Sequence, residues 1–327
     1  MPTLYFCYST VQGLDAPEPL NSPYTITWHV GRFLREKART IGYEFRYANL
    51  DDLTPIAIHA DDIVIGHTFY PDGWMNRALD SAARIKIILQ PYQPCMVGEG
   101  ERDWIKALFA KADWLLLITG PYHWDNMPDS PFADWQAKAT RLDMAVNPVQ
   151  HPHSKKTWNA PGKRRGLAIG ADNPVKGLDL IADLARRGGF HLSYFGNAPQ
   201  ERFQHVPQFM HYGGQYFTPD VQAEIARQHD FFISLARADA CPTTLLETAC
   251  WGLLPFANAE SGYWPDRPFV ELRLEDMLFN LEQIDWLQHA PEYELQQRAA
   301  RIRDQVLARH TWACFCESVW HEVERRL

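Results

Sequence analysis

Short apolar runs alternate along this chain with longer stretches of helical apolar spacing, and that alternation limits the fold more than any other feature. Runs such as "DDIVIGHTF" (61–69), "ARIKIILQP" (83–91) and "ADWLLLITG" (112–120) have no continuous polar face to turn to water. Both of their faces must therefore be covered, as they are in parallel sheets wrapped by crossover helices. Helical spacing stands where such crossovers are needed, at 25–42 and 100–112, and "TLYFCYS" (3–9) opens the series. A second series runs through "GLAIG" (166–170), "FHLSYFG" (190–196), "DFFISLA" (230–236) and "PFANA" (255–259). Helices are expected there at 177–188, at 218–229 and opening around Thr243, and two helical stretches, 291–309 and 311–325, close the chain. The expected fold class is α/β, with two Rossmann-like, doubly wound domains facing a cleft. Their bounds are 1–155 and 160–310, with the closing helix (311–327) packed back on the first.

Between the series, residues 147–165 are polar, basic and broken by proline, which reads as a solvated linker. His151 and His153 lie in it without a nearby third metal ligand. The length of 327 residues suits two domains, and 46% apolar with 22% charged residues is a globular composition. A net charge of -8 argues against a general nucleic-acid binder. No apolar run approaches the roughly 20 residues that span a bilayer. With no secretory signal pattern, the expected location is cytoplasmic. The six cysteines are scattered without a C-x-x-C, which fits reduced, mostly buried thiols; the two-residue offset puts Cys314 and Cys316 on different helix faces.

Ligands of open α/β sheets sit beyond the carboxyl ends of the strands. Two loops in the second half occupy such ends. "GADNPVKG" (170–177) leads into a helix start, whose unpaired amides suit phosphate, and Lys176 adds a full charge beside it. "RADACPTTLLETACWG" (237–252) places Asp239 on a strand-to-helix loop and Glu247 just inside the helix. Taken alone, Thr244-x-x-Glu247 also fits a helix capping box, and two acids also suit a glycoside hydrolase.

In order and spacing these elements resemble the donor-binding half of retaining GT-B glycosyltransferases, the glycogen-synthase-like "group 1" class (family 4). The resemblance covers roughly residues 160–262. Lys176-Gly177 stands in register with a "K-G" pair, and Gly196 and Gly213-Gly214 with glycine-ended strands. Asp239, Pro242, Glu247 and Gly252 match an "E-G-x-P-x-x-x-x-E-A-x-x-x-G" signature, with Asp for the first Glu. The resemblance implies that Glu247 takes ribose hydroxyls, whose vicinal pair suits two carboxylate oxygens. It implies that Asp239 meets the transferred sugar and that the Thr243, Thr244 and Leu245 amides, after Pro242, face phosphate. Lys176 would neutralise the leaving diphosphate, with Gly170 and Gly196 lining the donor site. Ala171 stands where the family has an arginine, and Lys163, Arg164 and Arg165 are the candidates to replace it.

The first half, expected to bind the acceptor, matches less of the pattern. Gly13, in "STVQG", stands where a glycine-rich loop meets donor phosphate, and His67 matches the "D-V-V-H-x-H" strand. Gln90 and Tyr92 stand where many members carry a second histidine. Phe69, Tyr70, Trp74, Tyr92, Tyr122, Trp124, Tyr263 and Trp264 are aromatic candidates for stacking on sugars or bases, and 120–135 reads as a long loop over the acceptor or out in solvent. The function implied is sugar transfer from a UDP- or GDP-sugar to a saccharide, lipid-linked or other acceptor. Retention, no metal ion, and no cofactor beyond the nucleotide-sugar co-substrate go with it. A basic helix at 30–39 leaves peripheral membrane contact open. Alternatives are a non-catalytic nucleotide-sugar-binding protein, a DNA-modifying glycosyltransferase, and an epimerase or phosphorylase on the same scaffold.

Overall fold

The computed structural model describes all residues except 10–12, 20–23, 54–56, 69–72, 93–98, 207, 214–216 and 264–268. Phe69, Tyr70, Cys95, Gly214 and Trp264 therefore lie outside the described residues.

One unit comprises residues 1–119, 123–142 and 312–327. Its strands are β1 (Thr3–Tyr8), β2 (Glu44–Asn49), β3 (Ile63–Gly66), β4 (Ile85–Pro91), β5 (Trp114–Ile118) and β6 (Ala139–Leu142). They form a six-stranded parallel sheet in the order β2-β1-β3-β4-β5-β6. The chain reverses its direction of winding between β1 and β3, so the loops leaving these two strands part and open a crevice at their carboxyl ends. Helices α1 (Tyr24–Thr40), α2 (Trp74–Leu79) and α3 (Glu99–Lys111) supply crossovers. The closing helix, Trp312–Glu324, lies in the same unit, with His29 of α1 stacked on Trp312 at 4.6 Å and the Thr140 hydroxyl bonded to Glu322 at 2.9 Å.

The 120–135 segment is not a free loop. It forms α4 (Pro121–Asp125) and two short 3-10 turns, Met127–Asp129 and Ala133–Lys138. Met127 and Phe132 are buried with Tyr92 and Phe109 in the apolar core of the first unit. Their side chains supply the apolar area that holds an otherwise polar stretch down.

The other unit comprises residues 120–122 and 143–311. Its strands are β7 (Arg165–Ile169), β8 (His191–Phe195), β9 (Phe209–His211), β10 (Phe231–Ser234), β11 (Leu254–Ala257) and β12 (Val270–Glu271). All are parallel, in the order β12-β11-β10-β7-β8-β9. Helices α5 (Leu178–Gly188), α6 (Pro219–Gln228), α7 (Thr243–Trp251), α8 (Met277–His289) and α9 (Glu292–Arg309) complete it. Winding reverses between β7 and β10.

Residues 147–165 correct the expectation of a solvated linker. His151, Lys155 and Arg164 are all buried. The Lys155 ammonium lies 3.1 Å from the Asp230 carboxylate, and it donates to the His229 carbonyl at 2.6 Å. The Ser154 and Lys155 amides donate to the Trp251 carbonyl at 3.1 and 3.0 Å, satisfying the end of α7. His151 Nδ1 accepts from the Trp251 indole at 3.3 Å. Charge signalled solvent in the sequence, whereas here the Lys155 ammonium, the Arg164 backbone and the His151 ring find partners inside the fold. Cys7, Cys241, Cys250 and Cys316 are buried thiols and Cys314 is exposed, so the last two do face different ways.

Candidate functional site

The crevice between β7 and β10 collects most of the second-half candidates. After β7, Pro174–Lys176 makes a 3-10 turn whose first residues are held by Asn173, its side chain accepting from the Val175 amide at 3.1 Å. Gly177 then takes a left-handed conformation (φ 62°) to start α5. A Cβ at Gly177 would lie 1.9 Å from the Leu235 carbonyl oxygen, so the loop rests directly on the backbone that leaves β10. The Arg237 amide donates to the Val175 carbonyl at 2.7 Å, and its guanidinium forks onto Asp179 at 2.8 and 2.5 Å. These bonds fasten the two loops together. As a result the Lys176 ammonium is ion-paired with the buried Asp239 carboxylate.

A third loop braces the second. The Asp239 amide donates to the Glu260 carbonyl at 2.9 Å, and Asn258 donates to the Ala236 carbonyl at 2.6 Å. Tyr263, fully buried and held at φ 66°, donates its hydroxyl to the Pro242 carbonyl at 2.8 Å. A bulky residue in the left-handed region is strained and persists only where its surroundings over-determine it. It supports the start of α7 from below and is not available for stacking on a sugar. Trp74 and Tyr92 are likewise core residues, while Tyr122 is exposed.

α7 opens at Thr243 with Pro242 as its N-cap and no side-chain cap. The capping-box reading of Thr244 and Glu247 is thereby overturned, because Thr244 lies inside the first turn. The Thr243 and Thr244 amides belong to the set with no intrahelical acceptor and sit at the positive end of the helix dipole; the Leu245 amide turns back to the Pro242 carbonyl at 3.2 Å. Burial pushes the Glu247 carboxyl up to about 7, opposed by a hydrogen bond from the Thr243 side chain.

Gly170 and Gly196 meet beside this crevice. The Gly170 amide donates to the Phe195 carbonyl at 3.1 Å, and the Tyr194 hydroxyl donates to the Gly170 carbonyl at 2.7 Å. A Cβ on Gly196 would lie 2.0 Å from the Gly170 oxygen. Together with Ala171, Phe195, Asn197 and Phe217 they line a cavity of about 250 Å³. Lys163, Arg164 and Arg165 do not replace the arginine missing at Ala171. They lie at the amino end of β7, and the six residues from Arg165 to Ala171 span about 20 Å of extended chain. Two arginines that sequence reasoning passes over are closer to the crevice loops: Arg237, described above, and Arg202, paired with Asp172 at 2.8 Å. Neither belongs to a motif; only the packing of separate loops brings them there.

No protein-family model matches the chain, and no curated protein matches it. Solved structures do. Sucrose-phosphate synthase from Thermosynechococcus elongatus aligns with a TM-score of 0.67 at 10% identity, over 99% of this chain and 98% of that one. The α,α-trehalose 6-phosphate synthase of Burkholderia multivorans aligns at 0.68 and 10% identity, over 99% of both. An E. coli trehalose-6-phosphate protein bound with UDP-2-fluoro glucose aligns at 0.63 and 10% identity, over 98% of this chain and 92% of that one. The fold is GT-B.

In the first unit of this GT-B chain, His67 follows β3 at the reversal of winding, its amide donating to the Cys7 carbonyl at 3.0 Å. Burial pulls His67 down to about 4, so its imidazole is neutral at pH 7. Gln90 is buried and accepts from the Thr68 hydroxyl at 2.6 Å, tying the end of β4 to the loop that carries His67. Gly13 adopts φ 76°, and among the described residues none beyond its chain neighbours comes within 4 Å of where a Cβ would stand. Among the described residues no cluster of three or more His, Cys, Asp or Glu side chains could hold a metal ion. No helix among them is long and apolar enough to cross a membrane.

Proposed function

We propose that this chain is a glycosyltransferase that moves a sugar from a UDP- or GDP-sugar to an acceptor hydroxyl, with retention and without a metal ion. The observation that carries the reading is the crevice between β7 and β10. There a lysine, a helix start and two acids stand on loops locked together by backbone contacts. In the reaction the bond from the anomeric carbon to the diphosphate breaks, and the electron pair leaves with the nucleotide. Lys176 and the Thr243 and Thr244 amides meet that charge. Asp239 accepts hydroxyls of the transferred sugar and Glu247 those of the ribose, while Gly170 and Gly196 leave room for the nucleoside. The acceptor oxygen forms the new bond on the face the nucleotide leaves, and its proton passes to the departing phosphate. Neutral His67 serves as a hydrogen-bonding group on the acceptor side.

The test is direct. UDP, GDP, ADP and their sugars are screened by thermal shift, and the sugars are then assayed for nucleotide release with a panel of acceptors. A true ligand at a hundred times its dissociation constant adds about 2.7 kcal/mol. No shift with any of them sinks the reading. Binding without donor consumption turns it into the non-catalytic alternative, which Ala171 in place of an arginine favours.

Glu247 adds a pH signature. Its folded pKa, about 7, lies above the ordinary 4.5. The folded chain therefore holds a proton that the unfolded chain has released, and stability without ligand falls as pH rises from 4.5 to 7. Ribose recognition by the carboxylate has the opposite sense. Nucleotide affinity should tighten as pH rises through 7, and Glu247→Gln should flatten both profiles. Calorimetry between pH 5.5 and 8.5 checks this; a wild-type affinity independent of pH removes Glu247 from the ribose.

A further inference from the structure

At the amino ends of β7 and β8, the end of the sheet away from Lys176, lies a cavity of about 640 Å³. That volume falls within the roughly 300–1,000 Å³ typical of small-molecule sites. We propose that it binds a small compound bearing a multiply charged phosphate group. Lys163, Arg164, Arg165, Arg187 and His191 line it, and the one acid in its lining, Asp285, is bonded to His289 at 3.2 Å.

The fold accounts for some of these charges but not all. Arg187 sits in the last turn of α5, where the helix dipole favours a cation, and Asp183 holds it at 2.8 Å. Lys163 and Arg165 are exposed, and among the described residues neither side chain forms an ion pair. Arg164 is a different case. It is 1% exposed, its backbone is pinned on both sides by the Gln288 side chain at 3.0 Å, and its Nη2 reaches only the Ala290 carbonyl at 3.4 Å. Its Nε and Nη1 have no acceptor, and neither does His191 Nδ1. The Arg164 guanidinium lies behind the lining, over the Trp158 ring at 5.8 Å and facing Asp230 and Glu292, so Lys163 and Arg165 are the unpaired cations that a phosphate in the cavity would meet. The concave shape selects a small molecule over a lipid surface, which binds flat faces with exposed apolar side chains. The strand β7 lies between this cavity and the donor crevice, so the two ligands do not compete, and this proposal stands whether or not the donor reading does.

Calorimetry with inorganic pyrophosphate at low salt tests it on the full chain. Saturable binding is expected for the wild type, and a saturable site should remain in Lys176→Ala, where any pyrophosphate held at the donor crevice is weakened. In Lys163→Ala/Arg165→Ala binding should be weaker by about tenfold or more, the equivalent of about 1.4 kcal/mol. Both of those side chains are exposed, so the fold should hold; if the double variant melts early, Arg165→Gln alone makes the same comparison. Absence of saturable binding overturns the proposal. So does equal binding by all variants, or loss in Lys176→Ala alone, which would place the anion at the donor crevice. Sedimentation with anionic phospholipid vesicles that pyrophosphate fails to reverse also overturns it, in favour of a membrane surface.

Discussion

Lys176→Ala is expected to slow nucleotide release from the preferred donor by about 10²–10³-fold, the range seen when one preorganised electrostatic group is removed. In the proposed reaction the leaving group is a diphosphate, and Lys176 is the cation that the β7–α5 loop presents to Asp239 at the crevice. Its backbone is positioned independently by Asn173 and Gly177, so truncating the side chain leaves the turn in place. Truncation also leaves the Asp239 carboxylate, 8% exposed, without its cation, so a loss of stability accompanies the loss of rate. Nucleotide release measured beside a melting curve separates the two effects. Lys176→Arg should recover part of the rate. A loss below about tenfold with the fold intact would remove Lys176 from the chemistry.

Gly177→Ala should be among the most damaging single-methyl additions at the described glycines of the second unit. Its Cβ would fall 1.9 Å from the Leu235 oxygen, which is backbone and cannot swing aside, and its φ of 62° is itself unfavourable for alanine. We expect a destabilisation of at least about 3 kcal/mol, a fall in melting temperature of roughly 10 °C, and loss of nucleotide binding. Gly189→Ala is the control. Its φ is 64° but no atom lies within 4 Å of the added carbon, so it should cost only about 1–2 kcal/mol. Equal melting temperatures for the two variants would show that the loop does not rest on β10 as described.

The eight strands that apolar runs mark in the sequence are the interior strands of both sheets; of the four edges, β9 is met only through the resemblance at Gly213-Gly214, and β2, β6 and β12 carry no such mark. The reason is physical. An interior strand is covered on both faces and paired on both sides, which leaves an unbroken apolar run. An edge strand is shorter or carries charge; "EFRYAN" alternates exposed and half-buried positions, and β12 has two residues. α8 was passed over for a related reason, since exposed Leu278 blurs its periodicity. The loops around Lys176, Asp239 and Glu247 were legible because their residue types and spacing are local. The bracing by Tyr263 and Arg237 was not, since it depends on bonds between segments distant in the chain. Buried Lys155 and Arg164 misled for the same reason: their partners, Asp230 and Gln288, lie 75 and 124 positions away.

The ion pair between Lys176 and Asp239 carries an implication for turnover. Under the proposed function each partner would also meet one end of the donor, so neither could be engaged without releasing the other. An intact nucleotide sugar compensates both at once, phosphate for the lysine and hydroxyl for the aspartate. A spent nucleotide satisfies only the first and leaves a desolvated acid stranded. Re-forming the internal pair would then favour ejection of the by-product, and on that reading the contact would help clear the pocket between cycles.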